Sequence, residues 1–68
     1  MPLLGAVGEF RAGAVVQLKS GGPPMTVTAI ADHLGQIRVF CEWFIQEGAE
    51  WKTGRGNYPP EALRLLES

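Results

Sequence analysis

Glycine and proline recur along this chain at intervals too short for an ordinary helix: Gly13, Gly21-Gly22-Pro23-Pro24, Gly35, Gly48, Gly54, Gly56 and Pro59-Pro60. Glycine admits positive φ and proline removes a ladder donor, so each cluster marks a turn between short apolar runs. The runs themselves alternate with period two, the pattern of an all-β domain. No internal repeat, low-complexity tract or linker interrupts the series.

Residues 14–19 read as a first strand, with Val16 and Leu18 on one side and Val15, Gln17 and Lys19 on the other. Residues 25–31 form a second, in which Met25, Val27 and Ala29 alternate with Thr26, Thr28 and Ile30. Asp32-His33-Leu34-Gly35 reads as a hairpin connection into residues 36–46, the strongest strand of the chain. There Ile37, Val39, Cys41, Trp43 and Ile45 share one face while Arg38, Phe40, Glu42 and Phe44 share the other, so both faces carry aromatics. Residues 49–53 are expected to pair back as a fourth strand with Trp51 inward, ended by the glycine-rich stretch 53–57. Tyr58 precedes a proline and is extended. A 3₁₀ or α turn over 60–63 then leads to a short last strand through Leu65. These elements predict an all-β, five-stranded SH3-like barrel whose closure removes most free edges. The competing architecture is an open antiparallel sheet completed by a partner.

Length sharpens that expectation. A chain of 68 residues holds one domain, and at this size only about 60% of the unfolded chain's surface is buried, so the core is thin. Cys41 is the only cysteine, which rules out an intramolecular disulfide and suggests a reducing, cytoplasmic setting. His33 is the only histidine, and no metal-ligand spacing surrounds it; no metal or other cofactor is expected. Six Lys and Arg against seven Asp and Glu give a net charge of −1, which does not steer the chain toward nucleic acid. Charged residues make up 19%, below the roughly 25% of an average soluble protein, and a sparsely charged surface favours association. No apolar stretch reaches the roughly 20 residues that span a bilayer, so no membrane partner is expected. Residues 1–9 lack a basic n-region and read as a flexible leader, although Leu3, Leu4 and Val7 could dock on an apolar strip of this or a neighbouring subunit. Residues 10–68 then make up the single barrel domain.

The run Gly13-Ala14-Val15-Val16-Gln17-Leu18-Lys19-Ser20-Gly21-Gly22-Pro23-Pro24-Met25-Thr26-Val27 closely resembles the YodC-like family of small, uncharacterised bacterial proteins. Cys41-Glu42-Trp43-Phe44 is similar to that family's C-x-W-F, and Tyr58-Pro59-Pro60-Glu61-Ala62-Leu63 to its aromatic-Pro-x-x-x-Leu ending. Ala14 stands where the family usually has Asp. The resemblance implies a small bacterial β fold and no established activity. A weaker, fold-level likeness is to the type II dihydrofolate reductases, short SH3-like barrels that act as tetramers through a pore lined by a Lys and a V-Q-I-Y run. Leu18 and Arg55-Gly56-Asn57-Tyr58 occupy those places here, and only the tyrosine is kept.

Several motifs invite a chemical reading. Lys19-Ser20-Gly21-Gly22-Pro23-Pro24 has the ingredients of an anion loop, but its order is the reverse of a P-loop and a strand follows, so a structural turn is expected. Met25 is expected in the core. Cys41 alternates onto the Val39 and Trp43 face, where a thiol is usually a small buried hydrophobe, and a nucleophilic pairing with His33 is not favoured. Glu42, Glu47 and Glu50 are expected to solvate an edge. The aromatics Phe10, Phe40, Trp43, Phe44, Trp51 and Tyr58 are the stronger signal. They predict a non-enzymatic module that self-associates or binds a protein through Phe40, Phe44, Arg38 and Glu42, since aromatics are enriched in interfaces. Trp51, Tyr58 and Arg55 form a possible ligand face. With Arg38 they define an alternative, a weak single-stranded nucleic-acid-binding barrel; a third is an oligomeric-pore enzyme by analogy with the reductases.

Overall fold

A computed structural model describes residues 2–66 of the chain. It is built almost entirely of antiparallel strands: β1 (Leu3–Leu4), β2 (Ala6–Val7), β3 (Phe10–Arg11), β4 (Val15–Leu18), β5 (Met25–His33), β6 (Gln36–Glu47), β7 (Glu50–Tyr58) and β8 (Leu63–Leu65), with one 3₁₀ turn, η1 (Pro60–Ala62), before the last. Strands β7-β6-β5-β4-β8 lie side by side in that order, β1 adds to β5, and β2 pairs only with β3. The all-β class and the short helical turn before the last strand follow the sequence pattern. The number of strands and the barrel do not: among the described residues there are eight strands where five are expected, and the sheet stays open. β7 is bonded to β6 and β8 to β4, and among the described residues no pairing joins these two ends. The turn η1 lies against both β6 and β8, and β3 of the small β2–β3 ribbon lies against β5.

At the N-terminus Leu4 and Val7 dock on this same subunit, one of the two placements that the sequence allowed, while Leu3 stays exposed. Leu3 and Leu4 stand opposite Ala31 and Ile30 of β5, and the Asp32 amide donates to the Pro2 carbonyl at 2.9 Å. Leu4 and Val7 rest against the core. The edge of β5 beyond β4 was open to a further strand, and the start of this same chain fills it.

Val16, Met25, Val27, Ile30, Val39, Cys41 and Leu63 form the core, one contiguous cluster drawn from β4, β5, β6 and β8. On β4 and β6 the expected alternation holds: Val16 is buried and Leu18 packs against the core, and Val39 and Cys41 point inward. On β5 it breaks. Val27 faces Cys41 and Ala29 faces Phe40, so Thr28 is an extra residue, a β-bulge. The bulge shifts the phase by one, which puts Ile30 inside, not on the outer face with Thr26 and Thr28. The Thr28 hydroxyl donates to the Phe40 carbonyl at 3.2 Å.

Two tight turns aim the long strands. Leu34 and Gly35 both have positive φ between the paired His33 and Gln36, and the Gly35 amide donates to the Asp32 carboxylate at 3.0 Å; this is the two-residue primed turn favoured in hairpins. Gly48 and Ala49 make the second such turn, between Glu47 and Glu50. From it β7 runs unbroken to Tyr58 and does not stop at the glycines after residue 53.

Those glycines are seats for a side chain. Trp43 lies opposite Gly54, and a Cβ on Gly54 would come within 2.6 Å of the indole; one on Gly56 would lie 3.6 Å from it. Glycine in a strand often marks such a close approach.

Candidate functional site

Register divides β6 and β7 into two faces, because residues directly opposite in an antiparallel pair project to the same side. Val39 with Tyr58, Cys41 with Gly56 and Trp43 with Gly54 belong to the core side. Phe40 with Asn57, Glu42 with Arg55, Phe44 with Thr53 and Gln46 with Trp51 belong to the outer side. The expected interface residues Phe40, Phe44 and Glu42 therefore do share one face. Arg38 follows them by alternation but sits at the far end of β6, beside an open groove lined by Gly35, Gln36, Pro59, Pro60 and Glu61.

The expected ligand face is divided. Arg55 and Trp51 join the outer side, so Trp51 is not inward, and it is 62% exposed. Tyr58 lies on the opposite side, half-buried against the core. Counting explains both: a two-residue turn places Trp51 across from Gln46, and Tyr58 is seven residues further on, an odd step that changes face.

At the distal half of the hairpin the outer face becomes apolar and open. Phe44 is 69% exposed, and its ring meets that of Trp51 edge to face, with centroids 5.9 Å apart and planes at 83°. Such T-shaped pairs are favoured by the ring quadrupoles. Beside them a shallow notch of about 270 Å³ is bounded by Pro24, Thr26, Thr28, Glu42, Phe44 and Thr53, with Trp43 at its side. The threonines of this notch were not singled out from sequence. Their signal was their period-two spacing at Thr26 and Thr28, on the same side as Glu42. On the other side of the hairpin, Lys52 and Glu47 form an exposed ion pair of 2.8 Å.

The remaining motifs are spent on structure. In the Lys19 to Pro24 loop the Gly21 amide donates to the Leu18 carbonyl, the Lys19 amide to Ala62, and the Gln17 side chain to the Gly22 carbonyl at 2.7 Å, while Arg64 donates to Gln17. Two of the loop's amides, those of Lys19 and Gly21, are thus committed to carbonyls and are not free to cradle an anion. Met25 is buried in the core. Cys41 is buried as well, its thiol pushed up from the ordinary value by desolvation, which disfavours a thiolate. His33 pairs with Gln36, whereas Cys41 pairs with Val27; six residues along β5 are roughly 20 Å, so the two form no dyad. Glu47 faces Glu50 at the hairpin mouth on the side opposite Glu42, and the three acids do not converge. Among the described residues no group of three His, Cys, Asp or Glu gathers as metal ligands. Among the described residues no helix is long and apolar enough to cross a membrane.

The chain belongs to the family described as uncharacterised small protein (DUF2158), whose model matches residues 11–63. That match covers β4 through η1, including all of β6 and β7. No curated protein and no solved structure matches the chain.

Proposed function

We propose that this member of the uncharacterised small-protein family is a non-enzymatic, self-associating protein module that uses the outer face of β6 and β7. The observation that carries the reading is the Phe44–Trp51 pair, two large rings packed on each other yet mostly open to water, on a hairpin that extends past the core. Exposed apolar patches of this kind mark interaction surfaces, and aromatic anchors dominate their energetics. The chemistry-bearing side chains support binding over catalysis, because Cys41 and His33 are far apart and the acids are dispersed. A net charge of −1 offers little repulsion between copies.

Sedimentation velocity from micromolar to submillimolar concentration tests the reading. The mass is expected to rise above the 7.4 kDa of one chain, and the double substitution Phe44→Ala, Trp51→Ala is expected to lower it at each concentration. A wild-type chain that stays monomeric throughout would overturn the proposal.

A second reading, binding of single-stranded nucleic acid, draws on the placement of Phe40, Phe44 and Trp51 on one face with Arg55. Glu42 directly opposite Arg55 offsets that charge. Stacking on this face would appear as quenching of tryptophan fluorescence by mixed oligonucleotides at low salt, lost as salt rises; no quenching at low salt excludes it.

A further inference from the structure

Among the described residues β7 is an edge strand, nine residues long and bonded on one side only. Its register with β6 runs from Glu50 to Tyr58 without a shift, and it contains no proline. Bulges, prolines and charged side chains, lysine above all, are the usual means of blunting an edge; here the bulge lies on the interior strand β5, and Lys52, the one lysine of β7, is drawn into an ion pair with Glu47 of β6. Alternate residues of an antiparallel strand turn their N–H and C=O away from the neighbour. Counted from the hydrogen-bonded pair that closes the two-residue turn, Glu47 with Glu50, the outward-facing set is Trp51, Thr53, Arg55 and Asn57.

We infer, on the self-association reading above, that the partner is a second copy joined edge to edge, β7 against β7 antiparallel, about a two-fold axis at Thr53. Charge and register select this arrangement. A two-fold axis perpendicular to the sheet keeps like faces together, which restricts the pairing to registers centred on a residue. Centring on Lys52 or on Arg55 sets that cation against its own copy, and like charges directly opposite are destabilising. Centring on Gly54 brings two glycines together and places Trp51 beside Asn57. Centring on Thr53 sets Trp51 of each copy against Arg55 of the other. The row Glu42–Arg55 then continues into the second copy's tryptophan, so that each guanidinium lies between a carboxylate and an indole face. The row Phe44–Thr53 meets its own copy in the same way. Ten principal strands become one continuous sheet, with the aromatic outer faces side by side.

Site-directed cross-linking tests the geometry. Thr53→Cys and Phe44→Cys are made separately and mildly oxidised at a concentration where the wild-type mass has doubled; Cys41 is buried and does not compete. Edge pairing puts the two 53 positions about 5.5 Å apart at Cα and the two 44 positions three strand spacings apart, about 14 Å. A disulfide tolerates no more than about 7 Å. Covalent dimer from Thr53→Cys and none from Phe44→Cys is the expected result. Cross-linking at 44 and not at 53 would overturn edge pairing and leave face-to-face self-association standing, and a doubled mass with neither cross-link would overturn the register. A wild-type chain that never doubles in mass removes both readings. Trp51→Ala and Arg55→Ala are each expected to weaken the dimer about fivefold, with the double variant little worse than either single one; fully additive losses would exclude the pairing of these two side chains.

Discussion

Gly54 shows how one residue can carry information about a distant strand. The absence of its side chain leaves room for the Trp43 indole, whose Cε2 and Nε1 would both lie 2.6 Å from an added Cβ. Its backbone is not in the left-handed region, so the need for glycine arises from this contact and not from φ. Gly54→Ala is therefore expected to destabilise the fold by about 1–3 kcal/mol, the usual cost of overpacking. In a Trp43→Ala background the penalty is expected to vanish, because the obstacle is gone and alanine suits a strand better than glycine. Urea midpoints of the four proteins in this cycle measure it. Equal losses in both backgrounds would show that Trp43 is not what requires the glycine.

At the scale of elements, the sequence pattern is legible where a strand keeps its period and opaque where a neighbour changes it. Val16 and Leu18 on β4, and Val39 and Cys41 on β6, face inward as simple alternation requires. β5 does not, because its bulge at Thr28 answers to β6, and nothing local in Val27-Thr28-Ala29-Ile30 marks which residue is extra. The glycines of β7 read as breakers because their partner, Trp43, is on another strand. Two candidate residues were misplaced for the same reason: the face of Trp51 and of Tyr58 depends on the turn at Gly48-Ala49, whereas Phe40 and Phe44 lie within one strand and were legible directly. The bulge makes its own prediction. Ile30→Ala is expected to cost about 2–5 kcal/mol, as for a fully buried aliphatic side chain, and Ala29→Gly and Thr28→Ala about 1 kcal/mol or less. Comparable losses at Thr28 and Ile30, read from chemical denaturation, would mean that the phase of β5 does not shift.

At the scale of the whole molecule, the core occupies one end of an elongated body. The extents are 41 × 24 × 19 Å and the radius of gyration is 12.3 Å, against about 11 Å for a compact chain of this length. Stability thus rests on a small cluster in which Cys41 is the only titratable side chain. Its burial raises the thiol pKa above the ordinary 9.0. The sign of the consequence follows from proton counting: above pH 9.0 the unfolded chain has lost the thiol proton while the folded chain still holds it, so the unfolded state binds fewer protons. The stability that this proton linkage supplies is complete below the unfolded pKa and is lost as pH rises through the folded one. Every other group of the chain is common to the wild type and to Cys41→Val, a substitution of similar volume. The difference between the two urea midpoints isolates the thiol, and it is expected to shift in favour of the valine variant as pH rises past 9.0. Parallel curves through that pH would mean that Cys41 ionises as freely in the folded protein as in the unfolded one, which is incompatible with its place beside Val27 and Val39.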